Sequence, residues 1–133
     1  MEVGSDPARE KPTVVVVEDD PDAQRYMRVL LSSRFKVLLA ESGEEMYAHL
    51  DAGAAGIGII LMDVSIKGDR DGLTLTRELR CNEQWKELPI VVVTAHVSSE
   101  DRRKALDAGG SAYLPKPFQR KQLLSLIDDM LKA

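Results

Sequence analysis

Five short apolar runs, at residues 14–17, 37–40, 57–62, 90–93 and 112–114, recur along the chain, and each is followed by a stretch in which apolar residues return every three or four positions. The runs are rich in valine and isoleucine and show no polar alternation. That pattern predicts strands buried on both faces of a parallel sheet. The intervening periodicities predict amphipathic helices. Ala23, Tyr26, Met27, Leu30 and Leu31 form the first stripe, Met46, Tyr47 and Leu50 the second, and Leu75 and Leu79 the third. Leu123, Leu124, Ile127 and Met130 form the fifth. The fourth helix, over residues 99–108, offers only Ala105 and Leu106 to a core, so it packs less firmly than the rest. Punctuation agrees with these elements: Asp20 before Pro21 reads as an N-cap, Ser42 with Glu45 has capping-box spacing, and Gly109 with Gly110 supplies a helix stop. A β-α unit repeated five times implies an α/β fold, a doubly wound open parallel sheet with helices on both faces.

Composition narrows this picture without changing it. The 133 residues are enough for one domain with a proper core, and residues 1–12, polar and carrying Pro7 and Pro12, read as a flexible tail ahead of a domain over 13–133. The formal net charge of −4 argues against direct binding of nucleic acid by bulk charge. A single cysteine, Cys81, excludes an internal disulfide and suits a reducing compartment. No apolar run approaches the roughly 20 residues of a membrane helix, and no signal peptide opens the chain. A cytoplasmic protein without membrane contact is expected.

In a doubly wound sheet, ligands bind beyond the carboxyl ends of the strands. The residues that follow the apolar runs are therefore the candidates for chemistry. Glu18, Asp19 and Asp20 follow the first run, Asp63 the third, Thr94 and Ala95 the fourth, and Lys116 the fifth. Clustered carboxylates repel one another unless a cation lies between them, and Mg²⁺ takes a few carboxylates while retaining water. A carboxylate can attack a phosphoryl group to give an acyl phosphate, and the transferring oxygens need cations and donors placed in advance.

At these residues the chain resembles the response-regulator receiver domains of two-component signalling, over residues 13–131 and through "VVVVEDDP", "IILMDVSIKGDRDG", "VVVTAH" and "YLPKPF". The resemblance implies a flavodoxin-like sheet of strand order 2-1-3-4-5. It implies that Asp63 accepts a phosphoryl group from a phosphohistidine on a sensor histidine kinase or histidine phosphotransfer protein. Mg²⁺ would be held by Asp19, by Glu18 through water, by Asp63 and by the backbone carbonyl of Ser65. Lys116, Thr94 and the small Ala95 would serve the phosphoryl group, Thr94 and Tyr113 would form the switch, and Pro117 would follow a cis peptide bond. The phosphorylated domain would change its helix 4, strand 5 and helix 5 surface toward a downstream target, with dimerisation on phosphorylation as one outcome. No output domain is expected in this chain. The pattern departs from the family's commonest form in having Ile66-Lys67 where Met-Pro is frequent, Gly72 one residue late, and Glu18 in place of aspartate.

Other readings fit less well. Asp69, Asp71, Gly72 and Glu78 fall at calcium-loop positions, but Lys67 occupies the first ligand position and a strand precedes the loop. Asp69 and Asp71 are therefore expected in a turn. His49 and His96 lack metal-ligand spacing and read as surface or helix-face residues, and the basic runs at 102–104 and 120–121 as solvated faces. A binding module that works without phosphorylation would lack the acceptor, an acid or the lysine, and none is lacking. A phosphatase using an aspartyl-phosphate intermediate would carry a second aspartate where Ser65 stands.

Overall fold

The computed structural model describes residues 11–53, 56–66, 68, 70–95 and 98–132. Strands β1 (Thr13–Val17), β2 (Lys36–Ala40), β3 (Ile57–Asp63), β4 (Ile90–Thr94) and β5 (Ala112–Pro115) alternate with helices α1 (Pro21–Leu31), α2 (Gly43–Gly53), α3 (Gly72–Arg80), α4 (Ser99–Asp107) and α5 (Arg120–Lys132). All neighbouring strands pair in parallel, in the order β2-β1-β3-β4-β5. The strand pleat divides the core in two. Val14 and Val16 join the α1 and α5 side, with Leu31, Ile59, Leu123 and Ile127. Val15 and Val17 join the α2 and α3 side, with Met46, Leu50, Ile60, Leu75 and Leu79. Strands β1 to β4 therefore present apolar residues to both layers, which is why their sequences show no alternation.

The expected caps form. Asp20 accepts from Ala23 N–H at 3.0 Å, and Ser42 Oγ accepts from Glu45 N–H at 3.2 Å. The reciprocal half of that box differs, because Glu45 Oε1 accepts from the Glu41 N–H at 2.7 Å, one residue before the cap. At the end of α4, Gly109 has φ +110° and its N–H and that of Gly110 bond back to Leu106 and Ala105, the left-handed turn that glycine permits.

Three packing expectations are corrected. Leu106 does not reach the core: it is 41% exposed, and Ala105 alone is buried on α4. Tyr26 leaves the α1 stripe and is 52% exposed, because Met27, Leu30 and Leu31 already fill the contact with the sheet. Of the residues read as tail, Lys11 and Pro12 are tied to the domain, through Lys11 Nζ to Ser32 O at 2.8 Å and Pro12 O from Lys36 N–H at 2.9 Å. Residues 1–10, and with them the rest of the expected tail, lie outside the described residues, as do Lys67, Asp69 and His96. Some core residues between elements went unread, Phe35 and Trp85 among them. Phe35 and Trp85 are both buried although each lies between elements, Phe35 under the α1–β2 turn and Trp85 in the α3–β4 connection.

Candidate functional site

The strand ends deliver the rim residues as the alternation of elements requires. β3 and β4 each extend one residue beyond their apolar runs, so Asp63 and Thr94 are terminal strand residues, and both are buried. Glu18 directly follows β1, is buried, and donates its N–H to Ala40 O at 2.8 Å, continuing the ladder past the last valine. Asp19 follows it, partly exposed. Lys116 follows β5, with its N–H on Thr94 O at 2.8 Å, and the Lys116–Pro117 peptide bond is cis.

The side chains converge on the Lys116 ammonium. Lys116 Nζ lies 3.0 Å from Glu18 Oε1 and 2.9 Å from Asp63 Oδ2. Asp63 Oδ1 accepts from the Ser65 N–H at 2.8 Å, and Glu18 Oε2 from the Asp20 N–H at 3.1 Å. Both carboxyls thus have a backbone donor on one oxygen and a shared cation on the other. Their proton affinities divide. Burial would raise the Asp63 carboxyl, but hydrogen bonds with Glu18, the Ser65 N–H and Lys116 outweigh it and hold it below the usual range. Glu18 goes the other way, pushed up by burial and by its contact with Asp63, against the Asp20 N–H and Lys116. Burial acts against the Lys116 ammonium too, yet the two carboxylates more than compensate and raise its pKa.

Gly72 sets the floor of the site. A Cβ there would lie 2.1 Å from the Asp63 carbonyl oxygen and 2.9 Å from Val64 Cα, so only glycine lets α3 begin this close to the end of β3. Its N–H bonds Val64 O at 3.0 Å. Asp71 is the cap of that helix, accepting from Thr74 N–H at 2.8 Å, which gives it the turn role expected. Glu78 faces Arg70 and Tyr47, in keeping with the rejection of a calcium loop.

Beside the rim, Tyr26, Met27 and Phe118 together with Glu18, Ala95 and Lys116 line a cavity of about 500 Å³. The Tyr26 and Phe118 rings are 6.4 Å apart. The aromatic following the "KP" pair was the available sign of this wall. Tyr113 is partly buried on β5 and shares a second cavity, of about 410 Å³, with Ser98, Ser99 and Arg102 near the start of α4. Burial raises the pKa of its hydroxyl, as does Asp101. His49 is a helix-face residue whose Nε2 bonds Leu39 O at 2.8 Å.

The chemistry of this donor set fits a divalent cation. Two carboxylates already share one positive group, β3 runs directly into a loop carbonyl at Ser65, and Asp19 adjoins Glu18 at the same rim. Among the described residues no three acidic, histidine or cysteine side chains close around one point. Mg²⁺ in general is held by few protein oxygens and keeps water.

Comparison with known proteins agrees with this layout. The family model described as the response regulator receiver domain matches residues 14–128. The transcriptional regulatory protein CpxR of Klebsiella pneumoniae is 32% identical over 120 residues, covering 90% of this chain and 49% of that protein. The KDP operon transcriptional regulatory protein KdpE of Escherichia coli is 34% identical over 106 residues, covering 79% of this chain and 44% of its own. This chain thus spans about half the length of these curated relatives or less. Among solved structures, the receiver domain of the sensor histidine kinase PA1611 from Pseudomonas aeruginosa, with magnesium coordinated in its active site cleft, superposes with a TM-score of 0.80 at 31% identity, covering 92% of this chain and 99% of that one.

Proposed function

The chain belongs to the family of response regulator receiver domains, signalling domains of two-component systems and not classical enzymes, and from that premise we propose that Asp63 is its phosphoacceptor. The observation that carries the reading is the Lys116 ammonium held 2.9 Å from Asp63 Oδ2, with the Ser65 N–H on the other oxygen. These contacts keep the carboxylate ionised and therefore nucleophilic. An Asp63 oxygen attacks the phosphorus of a phosphohistidine, the P–N bond breaks, and its electron pair returns to the imidazole, which takes up a proton. Asp63 ends as the acyl phosphate. Lys116 and the Thr94 hydroxyl stabilise the phosphoryl oxygens, and Ala95 leaves room for them. Asp19, Asp63, the Ser65 carbonyl and, through water, Glu18 would hold Mg²⁺, which would neutralise charge on the phosphoryl oxygens.

The donor is a histidine kinase or phosphotransfer protein, and the apolar cavity wall of Tyr26, Met27 and Phe118 gives it a docking surface beside the acceptor. The phosphoryl group then biases a two-state element. Thr94 moves toward it, Tyr113 repacks against the start of α4, and the α4–β5–α5 surface changes for its target. The weak apolar anchorage of α4 supports that assignment.

Incubation with a small phosphodonor and Mg²⁺, followed by intact-mass measurement, tests the proposal. One added phosphoryl group is expected, abolished by Asp63→Asn. A wild-type chain that binds Mg²⁺ and gains no mass would favour a binding module that works without phosphorylation.

A further inference from the structure

The loop at 64–71 leaves β3 at Asp63 and ends on the α3 cap. Its first residues are held by the Asp63–Ser65 and Val64–Gly72 hydrogen bonds and by the buried side chain of Ile66. Gly68 stands in the loop at φ +111°, a left-handed backbone state that glycine adopts without a steric penalty. Arg70 fastens the far half of the loop to two helices. Its Nη1 donates to Glu78 Oε1 on α3 at 2.7 Å, Nη2 lies 3.8 Å from Glu44 Oε2 on α2, and the guanidinium sits 5.8 Å from the centre of the Tyr47 ring. The Tyr47 hydroxyl donates to the same Glu78 oxygen at 3.0 Å. An isolated exposed ion pair contributes little. Here a planar cation stacks on a ring and pairs with a carboxylate that the ring also binds, and Arg70 and Glu78 are only 34% and 33% exposed.

We propose that Arg70 is a positioning residue for the acceptor site: by clasping the loop to α2 and α3 it preorders the Ser65 backbone for the divalent cation. The inference rests on the reading of Asp63, Asp19 and Ser65 as the cation site. A loop that must be ordered when the cation binds loses affinity by the cost of that ordering, and a clasp already closed removes the cost. Arg70 thus governs cation affinity and leaves the chemical step at saturating cation unchanged.

The test is a Mg²⁺ titration of the whole chain, followed by the amide NMR shifts of Ser65 and Gly72, alongside phosphorylation rates at each Mg²⁺ concentration. Arg70→Ala is expected to raise the half-saturating Mg²⁺ concentration about 3- to 10-fold, with the rate at saturation within about twofold of wild type. Arg70→Lys, which keeps the charge without the plane, should fall between. Glu78→Gln should match Arg70→Ala, and the double variant should be no worse than either. An unchanged Mg²⁺ midpoint in Arg70→Ala, even with a lowered melting temperature, would overturn the proposal, as would a lost rate at saturating Mg²⁺. If Arg70→Ala fails to fold, the midpoints of Arg70→Lys and Tyr47→Phe decide in the same way. Mg²⁺ binding without phosphorylation in the wild type would sink the phosphoacceptor reading, while the NMR midpoints still decide the clasp.

Discussion

At Lys116 one ammonium bridges two buried carboxyls that would otherwise face each other, 3.0 Å from Glu18 and 2.9 Å from Asp63. Lys116→Met keeps the stem and removes the charge. It should cut the phosphorylation rate by about 10²-fold, as loss of a preplaced cation does, and lower stability by about 1–3 kcal/mol through the unpaired acids. Rates from intact mass and urea unfolding would measure both. Tyr47 offers a test by pH. Burial and then Glu78 push its hydroxyl up to about 12, from an ordinary value near 10. Because the folded value is the higher, its contribution to stability is complete below pH 10 and lost as pH rises through about 12. Tyr47→Phe should flatten that decline in an alkaline unfolding series, and its tyrosinate band near pH 12 should vanish from the absorbance titration. Asp63 and Lys116 were readable from sequence because one ends a strand and the other directly follows one, where the fold class itself gathers chemistry. Arg70 was not. Its partners Tyr47 and Glu78 lie on two other elements, and nothing local in "GDRDG" names them.

Among the elements, α4 is set apart by how it is held. Its buried contribution is Ala105, and its C-terminal end is fixed from outside by Arg80. Arg80 Nε donates to Gly109 O at 2.7 Å, Nη1 to Leu88 O at 2.7 Å, and Nη2 to Ser111 Oγ at 3.1 Å. Arg80→Met should cost about 2–3 kcal/mol, roughly 1 kcal/mol for each bond lost, read by urea unfolding. Hydrogen exchange should quicken at Gly109 and Gly110 before it does in β1. The inner strands β1, β3 and β4 were legible because double burial leaves an unbroken apolar run. Helix faces were less so: Tyr26 and Leu106 satisfy the 3.6-residue period yet point away from the core, since period alone does not say how wide the buried stripe is. Trp85 was missed for the opposite reason, being a core residue in a connection with no period at all.

For the molecule as a whole, the sheet order places β1 between β2 and the central strand β3, so that Glu18 emerges beside the strand that ends in Asp63. Both core layers pack against β1 and β3, while α4 buries Ala105 alone. That contrast is what the proposed switch of the α4–β5–α5 surface requires. The proposed chemistry requires the phosphoryl group to reside on Asp63. Borohydride reduction of the phosphorylated chain converts an aspartyl phosphate to homoserine, which peptide mass spectrometry can place. Homoserine at position 63 is the predicted result. Homoserine at position 19 or 20 instead, or a reduced glutamate at 18, would contradict it.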